Sequence, residues 1–230
     1  MIYRETGQFK SSYASDQAIF PVLQDRIFVL LVVAAAFLVP PLVANDYWLQ
    51  AVLIPFLIYA LAALGLNLLT GYAGQVSLGT GGFMAVGAYS AFKLSTSFPG
   101  LNIIVVFLIS GLFAALVGVV FGVPSLRIKG FYLAVATLAA QFFLIWLFNK
   151  APWFVNYASS GTITAPTRAV LGVTVTGPAS TSGARYLVAL VLVVAFALIA
   201  KNLVRGRLGR SHPNVRTDLT ARLNSRRVGL

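Results

Sequence analysis

Six long apolar runs constrain this chain more than any other feature of its sequence. The hydrocarbon core of a bilayer is about 30 Å thick, and an α-helix of about 20 residues crosses it. Runs of roughly that length cover residues 27–44, 48–69, 77–94, 101–123, 131–148 and 186–204. Only 10% of the 230 residues are charged, whereas soluble domains carry about 25%. The pattern excludes an ordinary soluble fold and predicts an all-α, polytopic transmembrane helix bundle of about six spans.

The first, third and sixth runs need separate arguments. Small residues around Ala35 give the first run a candidate signal-peptide cleavage site. However, 26 residues precede this run and its apolar stretch continues to Pro41, which favours a retained helix. Serines, threonines and glycines dilute the third run, which is the weakest by hydropathy. The sixth ends near Lys201, whose ammonium can reach the membrane interface from a helix end. All six are therefore predicted spans.

The basic residues predict the orientation of the spans. With a cytoplasmic N-terminus, thirteen of the 17 Lys and Arg residues fall on the inner side, as the positive-inside rule requires. The outer side receives Lys93, Lys150, Arg168 and Arg185. All three tryptophans fall at the outer ends of spans, where interfacial anchors lie. We therefore expect both termini in the cytoplasm.

The same arguments divide the chain into three parts. Residues 1–26 form a polar cytoplasmic lead-in, residues 27–204 a transmembrane domain, and residues 205–230 a basic cytoplasmic tail. Residues 149–185 form a long external loop, in which prolines exclude a continuous helix and nearby valines predict a short strand. The basic tail is a topology determinant beside anionic lipid, and it lacks the aromatic residues on which nucleic-acid bases stack. We expect a lipid bilayer and no nucleic acid as its partner.

The available residue types exclude most catalytic chemistry. The chain has no Cys and one His, so it offers no thiolate nucleophile and no two-histidine zinc motif. None of its five acidic residues lies inside an apolar run, which excludes a buried carboxylate pair. Gly74 and Gly79 share part of a phosphate-binding spacing, but the lysine that contacts the phosphates is missing. We predict no enzymatic activity, no metal and no cofactor.

The densest signal lies between Gly65 and Gly87, where seven of the chain's 20 glycines join the second and third runs. Glycine frees the backbone from helical geometry. Irregular backbone is tolerated at membrane depth only where protein or a wet cavity satisfies its amides. We predict a helix break beside a substrate pathway, and tight helix packing is the alternative. The glycines that allow the break are Gly71, Gly74, Gly79 and Gly81.

Polar side chains near these glycines favour the pathway over packing alone, because polar groups inside a membrane are expensive and often functional. The residues predicted near the pathway are Asn67, Tyr72, Gln75, Ser77, Thr137 and Gln141. Thr137 and Gln141 are four apart on one helix face, and interhelical hydrogen bonding is their alternative role. Simple close packing is instead predicted for Ala114, Gly118 and Gly122.

Three blocks of sequence resemble one family of membrane proteins. Residues 67–79 read Asn-Leu-Leu-Thr-Gly-Tyr-Ala-Gly-Gln-Val-Ser-Leu-Gly, and residues 127–132 read Arg-Ile-Lys-Gly-Phe-Tyr. Residues 201–211 read Lys-Asn-Leu-Val-Arg-Gly-Arg-Leu-Gly-Arg-Ser. Together they resemble the LivM-type permease subunits of bacterial branched-chain amino acid ABC importers, over residues 27–211.

The resemblance implies a multi-pass subunit of the bacterial inner membrane that works with other proteins. These would be a second permease subunit, two cytoplasmic ABC ATPase subunits and a periplasmic substrate-binding protein. The implied function is ATP-driven import of branched-chain amino acids or a related small amino acid or amide, with ATP hydrolysis left to the partners. Residues implied to face the ATPase are Arg205, Gly209, Arg210 and Asp218.

The resemblance fades after Ser211, where Pro213 delays the start of a helix. Family members continue with a cytoplasmic docking helix and further spans, so the sequence predicts a permease truncated or frame-shifted at its C-terminus. Two other hypotheses stay open, namely a self-sufficient channel or secondary transporter, and an inactive permease fragment. Many secondary transporters repeat their broken helix, whereas we find one such segment in this sequence.

Overall fold

The computed structural model describes residues 23–72, 74–125, 131–158, 163–170 and 172–205. The chain divides into two compact units, residues 1–44 with 201–230 and residues 45–200. In the first unit, helix α1 spans Leu23–Val43 and is exposed along most of its length. Its apolar side chains lie on every face, which is typical of a helix surrounded by lipid.

The second unit holds most of the helices and a small hairpin. A six-residue π-helical segment, Trp48–Leu53, runs directly into α2, Ile54–Tyr72. The other helices are α3 (Thr80–Ser97), α4 (Ile103–Ser125), α5 (Phe131–Lys150) and α6 (Ser182–Arg205). Residues 201–205 of α6 belong to the first unit. Between α5 and α6 lie a 3₁₀ turn, Pro152–Val155, and strands β1 (Arg168–Val170) and β2 (Val173–Thr176).

Five helical segments in the described ranges are long and apolar enough to cross a membrane. They are Gln24–Val43, Trp48–Gly71, Ile103–Val123, Tyr132–Lys150 and Ser182–Val204, and they confirm an all-α, polytopic membrane protein. The predicted third span, 77–94, corresponds to the 18-residue helix α3, which is less apolar and is not among these five, so its crossing of the membrane stays a prediction. Its small polar residues and Lys93 explain the lower hydropathy. The cytoplasmic location of both termini stays a prediction.

The π-helical segment has a local cause in Pro55, which follows it by two residues. Proline has no amide hydrogen, and its ring clashes with the carbonyl four residues earlier, here that of Ala51. The backbone widens upstream, and the Ile54 amide donates to the Leu49 carbonyl five residues back. Such widened turns are rare and mark places where a helix departs from a straight rod.

Helices α3, α4 and α5 form the tightly packed core of the second unit. Val86 of α3 is buried with Leu144 and Phe148 of α5, and side chains of α4 pack against this cluster. The Tyr89 ring stacks on Phe148 with 4.4 Å between centroids, and Phe154 of the 3₁₀ turn meets Phe148 edge-on at 4.8 Å. This core fixes the position of α3 on α5.

The small residues of α4 contribute less to this core than the sequence predicts. A Cβ built on Gly87 of α3 lies 4.0 Å from the Ala114 Cβ, so one close approach of small residues is present. A Cβ built on Gly118 or Gly122 meets no other described atom within 4 Å. Close packing of Gly118 and Gly122 on another helix therefore stays a prediction.

The segments predicted on the outer side meet at one end of the core. Strands β1 and β2 pair antiparallel, which confirms the predicted strand and places it in a hairpin. Arg168 of β1 donates from Nη2 to the carbonyls of Ser95 and, at 3.1 Å, Phe98 at the end of α3. A cation at this position satisfies carbonyls that a helix C-terminus leaves unpaired. The Gln50 side chain likewise donates to the Ser182 hydroxyl at 2.6 Å, joining the π-helical segment to α6.

Candidate functional site

The predicted helix break is present between α2 and α3. The first helix ends at Tyr72, residues 74–79 are non-helical, and the next helix begins at Thr80. Gly74 has a φ of +64°, in the left-handed region that favours glycine. The Gln75 amide donates to the Leu69 carbonyl at 3.3 Å, so it satisfies a group that the end of α2 leaves unpaired. We call residues 74–79 the glycine break.

Ser77 lies at the buried centre of the glycine break. Its side chain is 9% exposed, and its hydroxyl oxygen accepts a hydrogen bond from the Gly79 amide at 3.3 Å. A buried hydroxyl satisfied by the backbone two residues later stabilises a turn in place of helical hydrogen bonding. The break is therefore a defined conformation, held by its own side chain.

Helix α5 supplies the next set of contacts through Thr137. Its Oγ1 accepts a hydrogen bond from the Leu78 amide at 2.9 Å and donates to the Ala134 carbonyl at 2.9 Å. The backbones are so close that a Cβ on Gly79 would lie 2.7 Å from the Thr137 carbonyl oxygen. Only glycine fits at position 79 without movement of a backbone.

Gln141 makes the equivalent contact one turn further along α5. Its Oε1 accepts a hydrogen bond from the Gly81 amide at 3.1 Å, so it caps the N-terminus of α3 from a neighbouring helix. A Cβ on Gly82 would lie 2.9 Å from the Gln141 Cα. Gly82 is a close-contact residue that the sequence analysis did not single out, although its place beside Gly81, one turn from Gly79, is a detectable sign of close backbone approach.

The structure brings some of the predicted residues together and leaves others apart. Those joined by direct contact are Ser77, Gly79, Gly81, Thr137 and Gln141. Gln141 forms a hydrogen bond between helices, as one of the two predicted roles requires, whereas Thr137 binds the glycine break. Their location on a substrate pathway stays a prediction.

The remaining predicted residues lie at the end of α2 or beyond the described ranges. Gly71 lies within α2 and Gly81 within α3, so the prediction that these two glycines belong to the break is wrong. The Gly71 Cβ position lies 3.6 Å from the Asn67 Oδ1. Asn67 is exposed and Gln75 is half-buried. Tyr72 ends α2, and Arg205 ends α6. The side chains of Tyr72 and Arg205 are not among those that the structure describes. Residues wholly outside the described ranges are Gly209, Arg210, Asp218 and the predicted inner-loop cations Arg127 and Lys129.

The chemistry of this site is that of neutral hydrogen-bonding groups. Hydroxyls of Ser77 and Thr137 and the amide of Gln141 satisfy backbone amides, while Asn67 and Gln75 keep more exposed amide groups nearby in the chain. Such groups can bind and orient a polar ligand without transferring a proton. The arrangement suits recognition or passage of a small polar molecule.

Comparison with known proteins gives a consistent match. The family model described as "Branched-chain amino acid transport system / permease component" matches residues 49–221. The high-affinity branched-chain amino acid transport system permease protein LivM of Escherichia coli (strain K12) is 33% identical over 182 residues. Its namesake from Salmonella typhimurium (strain LT2) is 31% identical over 182 residues.

These matches cover 70% of this chain and 42% of each relative. The chain thus spans about two fifths of the length of the curated relatives it matches. No solved structure gives a significant match.

Proposed function

The chain belongs to the family of branched-chain amino acid transport system permease components, and from that premise we propose its function. It is the membrane-spanning subunit of an ATP-driven importer of branched-chain amino acids, or of a related small amino acid or amide. The family match over residues 49–221 carries this proposal. A permease component transports a solute and is not an enzyme. Five apolar helices of membrane length support its placement as a multi-pass protein of the bacterial inner membrane.

The importer would need other subunits to supply energy and substrate. A second permease subunit would complete the pathway, two cytoplasmic ABC ATPase subunits would hydrolyse ATP, and a periplasmic binding protein would deliver the substrate. The segment from Arg205 to Asp218, with Gly209 and Arg210, would contact an ATPase subunit. Its basic character also suits the cytoplasmic surface of the membrane.

The glycine break is the proposed point of contact with the substrate. Broken helices inside membranes occur where the backbone is buried in protein or lines a binding site or cavity, because elsewhere their amides would be unsatisfied. Asn67, Tyr72, Gln75 and Ser77 would lie nearest the pathway. Thr137 and Gln141 are positioning residues in this proposal, because their side-chain oxygens already accept hydrogen bonds from the break and α3.

The proposed mechanism is alternating access without bond chemistry. Side-chain amides such as that of Gln75 would exchange hydrogen bonds with the ammonium and carboxylate groups of an amino acid as water is removed. Neutral groups bind such a zwitterion without adding a net charge that would trap it. Conformational change driven by the ATPase partners would then expose the break to the two sides of the membrane in turn.

The direct test is uptake of labelled leucine by vesicles that contain the chain with its proposed partners. Uptake should require ATP on the side of the membrane that carries the ATPase subunits. It should fall in the Gln75→Ala variant, which lacks the side-chain amide proposed to face the pathway. Gln24→Ala is the matched control, because Gln24 is an exposed residue at the start of α1, in the other compact unit. Equal loss of uptake in both variants would remove Gln75 from the pathway.

The same vesicles distinguish the importer from a self-sufficient channel or secondary transporter. Leucine flux that persists with the chain alone and without ATP would overturn the importer proposal. Failure of the chain to co-purify with any ATPase subunit, together with absent uptake, would instead support an inactive permease fragment.

A further inference from the structure

A cleft at the outer end of α3 lies apart from the glycine break. It has a volume of about 370 Å³ and is formed by α3, α4 and the 3₁₀ turn. Lys93, at its edge, is thirteen residues along α3 from Thr80, which is about 20 Å at the rise of an α-helix. The volume lies within the range of small-molecule sites, about 300–1,000 Å³.

Lys93 provides the cleft with a cation held by uncharged partners. Its ammonium lies 4.1 Å from the centroid of the Trp153 ring and donates to the Asn156 side-chain oxygen. A ring face and an amide oxygen attract an ammonium without neutralising it. The side chain is half-buried, so its charge acts in an environment less polar than water.

The walls around this cation are aromatic. Tyr89 of α3, Phe98 directly after α3, Phe113 of α4 and Phe154 of the 3₁₀ turn line the cleft together with Trp153. Apolar walls with a single convergent charged group are the usual composition of a site that orients a small ligand. The ligand that fits this pair of features carries one anionic group and an apolar side chain.

Two further features distinguish Lys93 from a lysine that merely reaches toward lipid headgroups. Asn156 and Tyr157 have φ values of 53° and 57°, a left-handed backbone that is uncommon for residues other than glycine, and this backbone places the oxygen that binds Lys93. Arg168 adds a second cation at the same end of α3, where it binds the Ser95 carbonyl two residues from Lys93. Both cations favour an anion at this end of the core.

We propose that this cleft binds the carboxylate of an amino acid with an apolar side chain as it enters from the outer side. Lys93 pairs with the carboxylate, and the aromatic walls contact the side chain. This inference rests on the proposed import function, because it makes the cleft a first stop on the way to the glycine break. It adds Lys93 and Trp153 as binding residues.

The test uses Trp153 as the reporter of binding. Trp48→Phe and Trp146→Phe leave it as the single tryptophan, and both replaced residues are exposed. The full chain, alone in phosphatidylcholine nanodiscs so that no partner tryptophan contributes, is titrated with leucine and with leucinamide, which lacks the carboxylate. We expect a saturable change in Trp153 fluorescence with leucine and a half-saturating concentration about tenfold or more higher for leucinamide. In the protein that retains Lys93, equal fluorescence responses to the two compounds, or no response to leucine, overturn the proposal.

Variants at Lys93 give the second arm of the test. Lys93→Gln should raise the half-saturating leucine concentration about tenfold or more, because a charge-assisted hydrogen bond is lost. Lys93→Arg keeps the charge and should stay close to the parent. Nanodiscs that contain phosphatidylglycerol test whether the cleft binds an anionic lipid headgroup in place of an amino acid. If that lipid alone changes the fluorescence and leucine does not, the cleft binds a lipid headgroup and the proposal is overturned.

ATP-driven leucine uptake, measured on vesicles that contain the chain with its partners, separates this proposal from the importer function. Uptake without a carboxylate-dependent response of Trp153 overturns the cleft proposal alone. A Lys93-dependent response without uptake supports the cleft and counts against the importer.

Discussion

At the scale of single residues, the glycines of this chain differ sharply in what they do. Gly79 and Gly82 allow α3 and α5 to approach, since a Cβ at either position would lie less than 3 Å from an α5 backbone atom. Gly74 allows a left-handed turn, and a Cβ built on it meets no described atom within 4 Å. Gly65 has neither requirement, although it belongs to the same glycine-rich stretch. Composition alone does not separate these roles.

Gly79→Ala and Gly82→Ala should each destabilise the protein by about 1–3 kcal/mol, the usual cost of overpacking a tight contact. The free energy of unfolding, measured by denaturant titration in detergent micelles, checks this value. Gly65→Ala is the matched control, and it should be neutral or stabilising by up to about 1 kcal/mol, because alanine favours a helix and the space is open. Equal losses at all three positions would contradict the close contacts.

Thr137→Val should cost about 1–2 kcal/mol of stability and reduce leucine uptake, because the Leu78 amide loses its acceptor while the side chain keeps its shape. Thr137→Ser retains the oxygen and should keep most of both properties. Unfolding titrations and uptake in vesicles measure the two effects. A Val variant as stable and active as the Ser variant would show that the hydrogen bond does not matter.

At the scale of elements, the apolar runs predict the helices well because length and hydropathy are local properties of the sequence. The break between α2 and α3 is also predictable, since glycine acts on its own backbone. The contacts that hold the break cannot be predicted in this way, because Leu78 and Thr137 are 59 residues apart in the sequence and no local pattern encodes their contact. The π-helical segment is missed for a different reason. Pro55 lies inside an apolar run, where hydropathy does not reveal a widened turn.

The β1–β2 hairpin depends on Arg168 for its attachment to the end of α3. Arg168→Gln should loosen it, because one guanidinium nitrogen binds two carbonyls there. Hydrogen–deuterium exchange of residues 168–176 should rise about tenfold or more if the attachment is worth at least 1.4 kcal/mol. Lys150→Gln is the control, since Lys150 is exposed at the end of α5. Unchanged exchange in the Arg168 variant would contradict this role.

At the scale of the whole molecule, the distribution of basic residues predicts which segments face each side of the membrane. The chain has no cysteine, so single cysteines can be introduced without a background. Thr164→Cys, at an exposed loop position, should react with a membrane-impermeant maleimide in intact cells. Ser11→Cys should react with the maleimide only after the membrane is permeabilised. The opposite pattern would invert the predicted orientation and place the Lys93 cleft on the cytoplasmic side.

The hydrogen bonds between the glycine break and α5 restrict how α3 can move. Sliding α3 along α5 by one turn would separate the Leu78 and Gly81 amides from their acceptors, at about 1–3 kcal/mol each where no water replaces them. Helices α3 and α5 are therefore expected to move together as a rigid pair. Movement within this unit is therefore expected at the Gly74 side of the break, where a Cβ built on this left-handed residue meets no described atom within 4 Å.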